Sequence, residues 1–168
     1  VETDDDRVTT ADPVLDLTAA TAFIWREAEL LDLRDYDAWL ALWTETGDYV
    51  IPVERGVADY AGALNIVYDN GAMRAARVKR LRSGLSMSAN AAARTVRTVS
   101  RFVVASEGPG VIEIRCAQHI VEYKREQRML AADVLYRIVT AGAGLALDLK
   151  IVTLIDSDEA QHGIGYLL

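Results

Sequence analysis

A chain of 168 residues, 51% apolar and 26% charged, has the size and balance of one compact globular domain, able to bury a core without disulfide or metal staples. Its net charge of −7 opposes phosphate and excludes nucleic acid as the main partner. The single cysteine, Cys116, excludes an internal disulfide and fits a reducing cytoplasm. Without a charged-then-apolar leader or an apolar run near ~18 residues, neither secretion nor a membrane span is expected.

Residues 1–16, beginning VETDDDRVTTADP, read as a flexible polar N-terminal arm with little to bury, and residues 17–168 as a single α+β domain. From Thr18 the apolar residues Phe23, Ile24, Ala28, Leu30 and Leu31 recur at helical spacing, with Asp16 or Thr18 able to cap the start. Asp35 can cap a second helix that carries Trp39 and Trp43, four residues apart on one face, and stops at Gly47. Asp48 to Val53 then reads as a strand, and residues 54–69 as loop. Asn70-Gly71 resembles a hairpin turn, but Met73, Ala76, Val78 and Leu81 continue as a third, arginine-rich helix ending near Gly84. The stretch LSMSANAAA (85–93) has the low charge of a loop.

After Thr95 the pattern is that of strands. Val96, Phe102 and Val104 share one face of the first, with Arg97 and Arg101 on the other. In 111–123, Ile112 and Ile114 point inward until the phase blurs near Cys116–His119, where a bulge or a covered second face is expected. In 130–138 the even positions are apolar. In 145–155 the odd positions Leu145, Leu147, Leu149, Ile151 and Ile155 line up against Asp148 and Lys150. Turns fall at EGPG (107–110), Glu126-Gln127 and AGAG (141–144). Three helices followed by long antiparallel strands make an α+β fold, the sheet curling over helices packed on one side.

Charge divides the chain unevenly. Residues 1–69 hold sixteen acids and four bases, whereas residues 70–101 hold eight bases and no acid. The basic segment answers the acidic part either within the chain or across a subunit contact. Arg97 and Arg101, which point the same way on one strand, are candidate contact residues, since arginine makes bidentate pairs with carboxylates.

Two histidines and one cysteine cannot build a Rieske centre, which takes two of each, and their spacing supports no mononuclear iron site. His119, in a strand among apolar neighbours, reads as a hydrogen-bonded core histidine, and His162 as a surface or subunit-contact residue. Cys116 reads as a buried, inert thiol, because His119 three residues along a strand faces the other way. GPG and GAG lack the phosphate-binding context and are turns. One enzymatic arrangement survives: a cone of sheet closed by helices, with Tyr68, His119 and Asp133 supplying acid–base groups to a pocket, as in a stand-alone isomerase or dehydratase. Their spacing permits it without demanding it.

The run FIWREAELLDLRDYDAWLALWTETGDYVIPV, then YDNGAMRAARVKRLRSG, then LDLKIVTLIDSDEAQHGIGYLL resembles, in that order, the β (small) subunit of aromatic ring-hydroxylating dioxygenases. The likeness runs over about residues 17–168. In AARTVRTVSRF, Arg94, Thr95, Val99 and Ser100 fit the family's stretch while Ala93, Val96 and Arg101 depart from it, and that match adds Arg94 to the candidate contact residues. The resemblance implies a nuclear-transport-factor-2-like (NTF2-like), or cystatin-like, α+β fold. It implies a non-catalytic chain without its own cofactor, assembling as α3β3 with an α subunit that carries the Rieske [2Fe-2S] cluster and mononuclear iron. The same fold hosts enzymes, so fold alone does not settle function.

Overall fold

The computed structural model describes residues 15–83, 93–159 and 163–168. Nearly all of the N-terminal arm, most of the LSMSANAAA stretch and His162 therefore lie outside the described residues. Helix α1 (Leu17–Leu33) starts where Asp16 accepts a hydrogen bond from the Ala19 amide at 2.8 Å, which settles the cap on Asp16 rather than Thr18. It ends on Arg34 in the left-handed region, φ 58°. Ala20, Ile24, Glu27, Ala28 and Leu31 form its buried stripe.

Helix α2 (Tyr36–Leu40) is capped by Asp35 as expected but is only five residues long. Trp43 is not on it: that residue opens strand β1 (Trp43–Pro52). Gly47 ends no helix. A Cβ there would sit 2.9 Å from the Asp148 carbonyl oxygen, so glycine lets β1 press against the neighbouring strand. The segment taken as loop contains a strand at its end, β2 (Asn65–Asp69), followed directly by α3 (Gly71–Arg82). Asn70 caps α3 through Met73 N–H at 3.0 Å, which is why Asn-Gly starts a helix here instead of turning a hairpin.

Four long strands complete the chain: β3 (Arg94–Gly108), β4 (Val111–Tyr123), β5 (Gln127–Ala141) and β6 (Gly144–Leu154). The six strands form one sheet ordered β2-β1-β6-β5-β4-β3. All neighbours are antiparallel except β1 and β6, which run parallel because the helical α3 and the β3–β5 meander intervene between them. The helices pack on one face of this sheet, and the core lies between them.

Two irregularities reverse the expected faces. On β3 the pairing with β4 shifts between Ser100 and Val103, with Arg101 at φ 57°. Before the bulge Arg97 and Val99 point into the core and Val96 is 67% exposed, so Val96 does not share a face with Phe102 and Val104. On β6 the pairing with β5 skips Asp148: Arg137 faces Leu149 and Ile138 faces Leu147. Lys150, Val152 and Leu154 thus point inward, and Ile155 is exposed. Strand β4, where a bulge was expected, pairs with β5 without interruption, and Ile112, Ile114, Cys116, Gln118 and Ile120 all face the core.

Candidate functional site

One rung of register crosses all six strands: Asp69, Tyr49, Lys150, Tyr136, Ile114 and Val104. At its centre, facing α1, sits a buried polar cluster. Glu27 and Lys150 are both 0% exposed, and the ammonium donates to the carboxylate at 2.7 Å. The Glu27 carboxylate also accepts from Trp39 Nε1 at 2.8 Å and from the Tyr136 hydroxyl at 3.2 Å. Lys150 donates a second bond, at 2.8 Å, to the Leu168 carbonyl oxygen. Burial pushes the Tyr136 phenol well above its ordinary range, and Glu27 pushes it further. Burial lowers the Lys150 ammonium, and Glu27 works against that.

Trp39, Trp43 and Tyr49 form a triangle of edge-to-face rings with centroids 5.4–6.2 Å apart. The Arg74 guanidinium lies 4.1 Å from the Trp43 ring centroid and donates to the Gly47 and Thr44 carbonyls. The two indoles therefore meet in the core, one from a helix and one from a strand.

The three residues proposed for an interior pocket are elsewhere. Asp133 faces outward, bonded to Arg55 at 2.8 Å and to Arg101. Its partial burial raises its carboxyl, but the two arginines outweigh that and hold it below the usual range. His119 is on the outer face of β4 and exposed, so it is not a core histidine: β4 keeps its even-in parity past Cys116. Tyr68 donates to Asp48 at 3.3 Å at the far side of the sheet. Arg101 and Asp133 line an outer groove of about 520 Å³ with Tyr60, Val103, Arg115 and Thr153.

Of the arginines, Arg97 is committed within the chain. Its side chain is 1% exposed, pairs with Asp32 and donates to the Leu167 carbonyl. Arg77 pairs with Asp69, and Arg82 with Asp37 at 2.8 Å, so much of the basic segment answers the acidic part internally. Arg94, over the Tyr123 ring at 5.1 Å, and Arg101, 64% exposed, remain on the surface. Arg97→Ala is accordingly expected to destabilise the isolated chain by about 2–3 kcal/mol, leaving Asp32 and the Leu167 carbonyl without this donor. Urea unfolding of the variant checks this; an unchanged midpoint would contradict it.

Burial pushes the Cys116 thiol up from 9.0 to about 12. The folded chain keeps a proton there that the unfolded chain releases, so stability should fall as pH climbs from about 9. A thiol-specific disulfide reagent at pH 8 should react with Cys116 only on unfolding. Fast reaction of the native chain would show the thiol to be open.

Glu27 and Lys150 were missed from the sequence. Glu27 falls three residues after Ile24 and four before Leu31, on the apolar stripe of α1, and that placement was the available signal. Lys150 gave none, because the bulge at Asp148 reverses its face.

Among the described residues, no group of three or more His, Cys, Asp or Glu side chains is placed to hold a metal ion. No described helix is long and apolar enough to cross a membrane.

The family model for the ring hydroxylating beta subunit matches residues 26–158, well over half of the chain. The chain belongs to this family. The beta subunit of benzene 1,2-dioxygenase from Pseudomonas putida is 32% identical over 117 residues, covering 64% of this chain and 62% of that protein. The chain thus aligns to a little under two thirds of that relative's length. The crystal structure of the beta subunit of benzoate 1,2-dioxygenase from Burkholderia mallei superposes with a TM-score of 0.76 at 22% identity, covering 92% of this chain and 99% of that one. An NTF2-like protein with a cystatin-like fold from Novosphingobium aromaticivorans matches with a TM-score of 0.59 at 19% identity, over 84% of this chain and 82% of its own. The α+β, cystatin-like fold expected from the resemblance is the fold observed, and β-subunit family membership is favoured over a stand-alone isomerase.

Proposed function

We propose that the chain is the non-catalytic small subunit of an aromatic ring-hydroxylating dioxygenase. In that role it assembles in the cytoplasm, as α3β3, with a large subunit that holds the Rieske [2Fe-2S] cluster and the mononuclear iron. The family match over residues 26–158 carries this reading. The buried cluster supports it: Trp39, Tyr136 and Lys150 all donate to the Glu27 carboxylate, so these groups are engaged with one another through Glu27 rather than offered to a substrate. A chain of this kind serves by shape and surface.

Co-expression with a large subunit bearing C-x-H and C-x-x-H motifs tests the proposal. The two chains are expected to co-purify, with iron and a visible charge-transfer spectrum only in the complex. Failure to co-purify, together with turnover of a cyclic ketone by the pure small chain, would overturn it.

Arg94 and Arg101 are the arginines we assign to subunit contacts. If they pair with carboxylates at the rim, Arg101→Ala should weaken assembly by under ~1 kcal/mol, an effect that fades with salt. If the pair is desolvated on assembly, the loss rises to ~2–5 kcal/mol and persists in salt. Sedimentation of the variant with the large subunit separates these, and unchanged assembly at low and high salt would remove Arg101 from any contact.

A further inference from the structure

Residues 163–168 follow β6 without regular secondary structure, yet Leu167 and Leu168 are 2% and 0% exposed. Irregular segments normally stay at the surface, because buried backbone without ladder partners leaves polar groups unpaired. Here side chains from three strands meet those groups. From β3, the Arg97 guanidinium donates to the Leu167 carbonyl oxygen. From β6, Lys150 Nζ donates to the Leu168 carbonyl oxygen at 2.8 Å. From β1, the Tyr49 hydroxyl donates to that same oxygen at 3.3 Å and accepts from the Leu168 amide at 3.0 Å. The two leucine side chains join the core cluster, and Tyr166 packs beside them with its hydroxyl on Glu122 at 2.9 Å.

An apolar lining with a few convergent polar groups is the make-up of a ligand site. Lys150 and Arg97 each divide their donors between a carboxylate and this segment, so each is left incompletely bonded when the segment is absent. We propose that the space between α1 and the sheet is a binding site for a short apolar peptide presenting adjacent carbonyl oxygens, which this chain keeps filled with its own Leu167 and Leu168. A peptide of the same chemistry competes for it once the internal occupant is weakened. The proposal does not depend on partnership with a large subunit.

The test uses the full chain carrying Leu167→Ser and Leu168→Ser, which keeps the backbone but removes the apolar hold. The probe is a fluorescein-labelled peptide with the sequence of residues 163–168, read by fluorescence anisotropy. The double variant is expected to bind it saturably and at least about tenfold tighter than the native chain does, because the native segment already occupies the site. Adding Tyr49→Phe should weaken binding by about tenfold through loss of the hydroxyl's two bonds. A folded double variant that does not bind, native chain that binds equally well, or binding indifferent to Tyr49→Phe would each overturn the proposal. If the double variant does not fold, peptide at about 1 mM in the refolding mixture should restore a cooperative melt by mass action. No recovery would overturn the proposal as well.

Discussion

Replacing Lys150 by methionine should lower the stability of the chain by ~3–5 kcal/mol, although methionine is apolar and close in length. The reason lies in what stays behind. Glu27 keeps its carboxylate fully buried, with Trp39 and Tyr136 as its remaining donors and no cation beside it. The Leu168 carbonyl keeps only the longer bond from Tyr49. Removing one member of a buried ion pair leaves an uncompensated charge, whereas removing both charges often costs far less. Glu27→Gln added to Lys150→Met should therefore recover part of the loss, because a neutral amide needs no counter-ion: its oxygen still accepts from Trp39, and its NH2 group can donate to the Tyr136 hydroxyl oxygen. The two single substitutions and the double form a cycle whose coupling term is the pair's own contribution. Urea unfolding at neutral pH, with the slope unchanged, provides the measurement. A Lys150→Met chain as stable as the native one would show that the cluster is not the charged network described.

The parts of the fold legible in the sequence are those where one period runs unbroken. Helix α1 and strand β5 keep their apolar spacing from end to end, and the cap of the one and the turn after the other carry Asp16 and Gly142 where expected. Errors cluster where the period breaks. One inserted residue at Arg101 or Asp148 flips the side chains that follow it, and nothing in VRTVSRF or ALDLKIV marks the insertion. Strand β2 is five residues long with a single buried apolar position, Val67, too little for alternation to show. Trp43 was placed on α2 because four-residue spacing fits a helix, but the helix stops at Leu40 and tertiary packing brings the two indoles together anyway. Asp133 and His119 are a different case: they are odd-numbered in strands whose pairing is unbroken and whose even positions face the core, so their outward direction was legible from parity alone.

Trp39→Ala should cost ~3–5 kcal/mol, the range for deleting a large aromatic from a packed core. Trp39 is 0% exposed, makes edge-to-face contacts with Trp43 and Tyr49, and donates to the buried Glu27 carboxylate. Trp39→Phe separates these contributions. It keeps most of the ring packing but withdraws one of Glu27's three donors, so it should lose about 1.5–3 kcal/mol, the range for a hydrogen bond to a charged group. Trp43 tells a different story: its Nε1 has no hydrogen-bond partner among the described residues, so Trp43→Phe forfeits packing alone and should cost less than Trp39→Phe. Denaturant midpoints of the four chains, native included, give the order directly. The outcome that would sink this assignment is a Trp39→Ala chain of native stability that fails only to assemble with a large subunit. That result would move the indole from the core of this chain to the surface of a complex, and the buried cluster around Glu27 would have to be held by something other than Trp39.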